Sequence, residues 1–191
     1  MIDPEAWLRA VVETPGLTAL DLEAARAILV EDALRAAPLL ERYAGAIVDV
    51  GSGNGSPGIP IALALPAREV VLLDAESRRC EFLRRWAPAN ARVVWARAEE
   101  QETDWAGVAL AKALAPPPVA AEWCLPLVRP GGVAVLWVGQ TADLDALAVV
   151  AARLAAEPVD SPAGLVMLEK TGPTPAGFPR RPGIARKRPL A

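Results

Sequence analysis

The sequence predicts an α/β fold, a doubly wound and mostly parallel sheet behind a prelude of helices. Three observations carry that expectation. Short runs that are apolar on both faces alternate with helical stretches from residue 46 to residue 169, the pattern of a parallel sheet covered on both sides. The first run, Ala46-Ile47-Val48-Asp49-Val50, leads through Gly51-Ser52-Gly53-Asn54-Gly55-Ser56-Pro57-Gly58 into Ile59-Pro60-Ile61-Ala62-Leu63, which reads as strand, glycine turn and helix start. The second run ends on Asp74, about 20 residues beyond the glycines, where such folds hold a carboxylate against a ligand.

The elements follow in order. Residues 4–14 form an amphipathic helix with Trp7, Leu8, Val11 and Val12 on one side, and Pro15-Gly16 ends it. Helical stretches over about 21–29 and 30–43 complete a prelude packed on the main domain. Strands are expected at 46–50, 70–74, 93–95, 108–111, 133–138 and 165–169, with helices at 77–87, 120–128 and 142–156. Arg129-Pro130-Gly131-Gly132 reads as a tight turn into the fifth strand. Beyond Thr171, prolines at 173, 175, 179, 182 and 189 exclude a long helix or central strand. The organisation expected is one domain overall: helices over 1–45, a ligand-binding core over 46–170 and a Pro/Arg-rich tail over 171–191.

Composition narrows the chemistry. A chain of 191 residues, 53% of them apolar, supports one sizeable core. Charges interrupt every apolar stretch before it reaches the length of a membrane span. The start, Met1-Ile2-Asp3-Pro4-Glu5, is acidic and unlike a signal peptide, so a cytoplasmic protein is expected, with Cys80 and Cys124 as reduced core thiols. The chain has no histidine, which removes Ser-His-Asp and Cys-His nucleophile systems and histidine-based metal sites together; no metal is expected. Residues 171–191 carry five basic side chains and no acidic one, which leaves 15 basic against 23 acidic elsewhere. A basic tail on an acidic body points to a localised anion-binding surface.

The glycine turn lets a backbone approach a ligand closely, and the helix start beyond it offers free amides. Gly53-Asn54-Gly55-Ser56-Pro57-Gly58 satisfies the dinucleotide pattern G-x-G-x-x-G. The wider string Asp49-x-Gly51-x-Gly53-x-Gly55 resembles instead the first motif of the Rossmann-like, class I S-adenosylmethionine (SAM) methyltransferases, where the carboxylate and loop surround the amino-acid end of SAM. The longer match is more specific. Leu17-Thr18-Ala19-Leu20, the loop through Ile59-Pro60, Leu72-Leu73-Asp74 with Arg79 and Phe82-Leu83, Arg97-Ala98-Glu99-Glu100, and Lys112-Ala113-Leu114-Ala115-Pro116 all take part. So do Leu125-Pro126-Leu127 before Gly131-Gly132, and Phe178-Pro179-Arg180-Arg181-Pro182-Gly183-Ile184 with Lys187. On these residues the chain resembles the small-subunit ribosomal RNA guanine-N7 methyltransferases, also called the glucose-inhibited division protein B family.

That resemblance implies a SAM-dependent transfer of methyl to N7 of a guanine in 16S ribosomal RNA, with the RNA or the small subunit as partner and a monomeric enzyme. It puts Gly51, Ser56, Ala98, Glu99 and Lys112 at SAM, with Asp49, Gly53 and Gly55 in the motif around its amino-acid end. Asp74 would face the ribose hydroxyls, and the Ala98-Glu99 backbone would border the adenine. Lys112 would also position the reacting groups. The tail cations Arg180, Arg181, Arg186, Lys187 and Arg188 would position RNA. The departures fall on polar positions: Lys112 replaces a family arginine, Val138 a lysine and Ala163 an arginine, and a histidine is lost near Leu29. Three other readings stay open. They are a SAM-binding relative with another substrate or none, an NAD-dependent oxidoreductase using Lys112, Tyr43 or a carboxylate as acid, and an RNA-binding module resting on the tail. The tail cations could equally form a solvated surface paired with the acidic body.

Overall fold

The computed structural model describes residues 2–191. Helix α1 (Pro4–Glu13) starts on Asp3, whose carboxylate accepts from the Glu5 amide, and buries Trp7, Leu8 and Val11. It is followed by α2 (Leu22–Ala25), a π-turn over Arg26–Glu31, α3 (Asp32–Leu34) and α4 (Ala37–Leu40). The break expected near residue 30 is therefore absent. The chain widens into the π-turn there and the helix continues.

The strands are β1 (Ile47–Val50), β2 (Val70–Asp74), β3 (Ala91–Trp95), β4 (Ala106–Lys112), β5 (Val128–Trp137), β6 (Ala156–Val159) and β7 (Leu165–Lys170). They form one sheet in the order β3-β2-β1-β4-β5-β7-β6. The first five run parallel, with Ile47 opposite Val70 on one side and Val108 on the other. β7 is antiparallel to both β5 and β6. The strand order reverses at β1 and β4, which opens a crevice beyond their carboxyl ends. The doubly wound, mostly parallel sheet expected from the sequence is the one observed.

Between and after the strands lie α5 (Gly58–Ala64), α6 (Ser77–Trp86), α7 (Pro117–Cys124), α8 (Leu144–Arg153) and α9 (Ile184–Lys187). The sheet alternates with period two. Ile47, Val70, Leu72, Val108, Leu110, Val133 and Val135 face the prelude. Val48, Val50, Val71, Leu73, Ala109, Ala111 and Ala134 face α7 and α8. Cys80 and Cys124 are free and buried, and burial pushes both thiols up.

Three details differ from the sequence expectation. β6 is an edge strand containing Pro158, at a place read as the end of a helix. Proline is tolerated on an edge, where no ladder donor is needed. Arg129-Pro130-Gly131-Gly132 lies inside β5 as an irregularity opposite a register shift at Ala106/Val108. Gly131 is left-handed at φ 78°, and a Cβ on Gly132 would lie 2.5 Å from the Gly107 carbonyl. Finally, α7 starts early, on Pro117, and gives way to a 3-10 turn at Leu125–Leu127.

The last strand is fixed by a buried cation. Lys170, with its side chain fully enclosed, donates to Asp104 Oδ1 and Leu125 O at 3.0 Å, to Val128 O at 3.1 Å and to Thr174 Oγ1 at 2.8 Å. Every proton of the ammonium has a partner, which is what makes an enclosed charge tolerable. Replacing Lys170 by Met removes the cation that ties Asp104 to Leu125 O and Val128 O. Asp104 keeps its bonds from Thr174, and Leu125 O keeps that from the Val128 amide. Urea denaturation should therefore show a loss of about 2 kcal/mol of stability.

Candidate functional site

A cavity of about 390 Å³ opens at the carboxyl ends of β1, β2 and β4, within the size range of small-molecule and cofactor sites. Its walls include Gly51, Asp74, Glu76, Arg79, Ala98 and Glu99. Asp74 ends β2 and is buried. Its Oδ2 accepts from the Gly53 amide at 2.8 Å and its Oδ1 from the Glu76 amide at 2.8 Å, with Arg79 Nη1 4.0 Å away. Two backbone donors therefore fix an acceptor pair at the rim, the arrangement a vicinal diol requires. Ala98 and Glu99 lie in a 3-10 turn (Ala98–Glu100) whose start is held by the Glu100 carboxylate accepting from the Arg97 amide.

The glycine loop works differently from the expectation of free amides. Gly51 and Ser52 both donate to Leu73 O, at 2.8 and 3.0 Å, and Gly55 donates to Ser52 O. Gly53 is bonded to Asp74, Ser56 to Asn54 Oδ1 and Gly58 to Asp49 Oδ2. These donors are spent on the loop's own shape. What the loop presents to the cavity is close backbone approach at Gly51 (φ 71°), where a Cβ would collide with the Leu114 side chain.

Several expected cofactor residues stand outside the cavity lining. Asp49 is buried beneath α5, where its Oδ2 accepts from Gly58 at 3.1 Å and its Oδ1 has no hydrogen-bond partner among the described residues. Ser56 donates to Leu29 O at 2.7 Å, and the Trp7 indole donates to Asn54 O at 3.0 Å, so the prelude sits on this side of the loop. Gly55 is packed against Ile59 and Trp7. Lys112 donates to Ile28 O at 2.6 Å, pairs with Asp32 and lies 5.6 Å from the Trp137 ring centroid. Burial drives the Lys112 ammonium below its ordinary range, opposed by Asp32. The π-turn places the Ile28 and Leu29 carbonyls where Lys112 and Ser56 can reach them.

The tail also departs from expectation. Arg180 was expected to face RNA. Its Nε instead donates to Glu122 Oε1 at 2.5 Å, and Nη2 reaches the second oxygen of that buried carboxylate. Arg186 lies 5.1 Å from the Trp123 ring centroid and lines the cavity together with Gly183. Arg181, Lys187 and Arg188 are exposed and form no ion pair among the described residues. Sequence reasoning missed Leu114, Trp123 and Gly183 as lining residues. The available signal was Pro182-Gly183, a turn dipeptide that brings the tail back onto the body.

A family model described as rRNA small subunit methyltransferase G (GidB) matches residues 17–158. Ribosomal RNA small subunit methyltransferase G of Synechococcus elongatus is 37% identical over 178 residues, covering 80% of this chain and 72% of that protein. Its counterpart in Rubrobacter xylanophilus is 38% identical over 173 residues, covering 78% and 66%. A T. thermophilus 16S rRNA N2 methyltransferase, solved in complex with AdoMet and guanosine, superposes with a TM-score of 0.56 at 17% identity, covering 76% of this chain and 40% of that one. That likeness concerns the fold, which is the class I methyltransferase arrangement.

Burial pushes the Asp49 carboxyl up to about 7, with nearby Asp74 adding to the rise. A group whose folded value is raised binds more protons folded than unfolded, so the contribution of Asp49 to stability falls as pH rises from about 4 to about 7. The full span corresponds to up to about 4 kcal/mol. Because Glu5, Asp32 and Asp104 are shifted the opposite way, the check is the difference between variants: thermal denaturation across that window should show Asp49→Asn gaining stability relative to wild type as pH rises.

Proposed function

Since the chain belongs to the rRNA small subunit methyltransferase G family, we propose that it transfers a methyl group from SAM to N7 of a guanine in 16S ribosomal RNA. The observation that carries this reading is Asp74, whose carboxylate is held by the Gly53 and Glu76 amides at the rim of a cavity that Gly51, Ala98 and Glu99 complete. Those residues would hold SAM: Asp74 would accept from the ribose hydroxyls, the Ala98-Glu99 turn would border the adenine, and Gly51, whose missing side chain makes room for Leu114, would complete the wall.

When bound, SAM supplies an electrophilic sulfonium methyl. Guanine N7 has an in-plane lone pair and no proton to lose, so the protein's task is alignment at close range. A chain without histidine is under no handicap in that chemistry. Asp49 and Ser56 shape the loop from below, and Lys112 is a positioning residue through Asp32 and the prelude. Arg181, Lys187 and Arg188 provide exposed charge for RNA phosphates. The protein acts in the cytoplasm as a monomer.

A second reading, a SAM-binding relative with another substrate, is favoured by the commitment of Lys112 to Asp32 and by Val138 and Ala163 in place of family cations. The test is transfer of labelled methyl to small ribosomal subunits, and to 16S rRNA, from a strain lacking the modification. Labelling at guanine N7 is expected. SAM binding without transfer favours the second reading, and a folded protein that binds no SAM defeats both. Asp74→Asn, which sets an NH2 against the Gly53 or Glu76 amide as well as removing the charge, should weaken SAM binding about tenfold or more in calorimetry, with circular dichroism showing the fold retained.

A further inference from the structure

Residues 178–190 are docked on the body along much of their length. Phe178 and Leu190 pack against the core on the α7 side, and Ala185 is buried there. Arg180 is tied to Glu122 on α7. The Gly183 amide donates to Glu99 Oε1 at 3.1 Å, so the tail grips the same carboxylate that lines the cofactor cavity. One helical turn later, the Arg186 guanidinium lies over Trp123, with Nη2 3.5 Å from the Leu114 carbonyl. Trp123, Leu114, Gly183 and Arg186 all belong to the cavity wall. Arg181, Arg186, Lys187 and Arg188 are all exposed, but of the four only Arg186 belongs to the cavity wall.

We propose that Gly183 and Arg186 are cofactor-positioning residues, and that the segment carrying them couples cofactor occupancy to RNA binding through the exposed cations Arg181, Lys187 and Arg188. The proposal rests on the reading of the cavity as a SAM site. It replaces a division of labour in which the tail serves RNA alone. Arg186 is adjacent in the chain to Lys187 and Arg188. A ligand that fixes Arg186 therefore also restricts the two side chains that would meet phosphates. Coupling of this kind is reciprocal: SAM should strengthen RNA binding by the same factor by which RNA strengthens SAM binding.

The test has three arms, with SAM and S-adenosylhomocysteine as cofactor probes and transcribed 16S rRNA as the nucleic acid. In calorimetry, Arg186→Ala should bind both cofactors about tenfold more weakly than wild type. The variant should also lose the increase in rRNA affinity that S-adenosylhomocysteine gives the wild type. The combined Arg181→Ala, Lys187→Ala, Arg188→Ala variant should bind cofactor as wild type does. Its RNA affinity should fall, with the salt slope smaller by about two, as expected for three lost contacts to single-stranded phosphate. In the unmutated protein, hydrogen exchange of the Gly183 amide should slow when SAM is added, a readout that does not depend on any variant folding. Wild-type cofactor affinity in a folded Arg186→Ala, or Gly183 exchange indifferent to SAM, overturns the proposal. A wild type that binds no SAM instead overturns the reading of the cavity on which it rests.

Discussion

The close approach of α5 to β1 is the constraint on which the site depends. Asp49 stands on the sheet face that the prelude and α5 cover, and its Oδ2 accepts from the first amide of that helix. Gly58 has no side chain because there is no room for one: a Cβ would lie 2.6 Å from Asp49 Oδ2 and would also run into Leu72. The helix is thereby drawn down onto the strand, and the loop between them must close in a few residues. Its amides turn inward to Leu73, Asp74, Ser52 and Asn54. The loop is thus rigid through internal bonding, and the cavity beside it owes its shape to that rigidity.

Two layers outside the sheet complete this arrangement. From one side the prelude holds the loop through Trp7 and Leu29 and holds the end of β4 through Ile28 and Asp32. From the other, α7 supplies Trp123 and Glu122, on which the tail is seated. Between them, Ala113 follows β4 at φ 52°, a left-handed backbone that costs a non-glycine residue about 1 kcal/mol or more. Leu114 next to it lies over Gly51. The segment after β4 therefore carries strain where it lines the cavity, as functional segments often do.

Much of this was legible in the sequence. The parallel core shows in the apolar runs, and the glycine loop, Asp74, Ala98-Glu99 and Lys112 all follow or finish strands, which groups them in one crevice. Gly51, Asp74, Ala98 and Glu99 do line it, while Lys112 turns away to Ile28 and Asp32. The π-turn was not legible, since Arg26-Ala27-Ile28-Leu29-Val30-Glu31 has ordinary helical composition and the widening answers to Lys112 and Ser56, both distant in the chain. β6 escaped because Ala156-Glu157-Pro158-Val159 has neither alternation nor an apolar run. Asp49 carried the right residue type in the right motif, but only the pleat tells which face of the sheet it occupies. The tail cations could be counted in advance. Which of them find a partner on the body depends on Glu122 and Trp123, which nothing in their own stretch marks as partners.

The face of the sheet beneath α7 is built from small side chains, Ala109, Ala111 and Ala134. Their size sets how deep α7 sinks, and α7 in turn carries the seat on which the last residues rest. An added methylene on that floor would lift a helix that never touches the ligand and disturb the ligand's enclosure from the far side. A change at any of these alanines would therefore be felt in a pocket several side chains away.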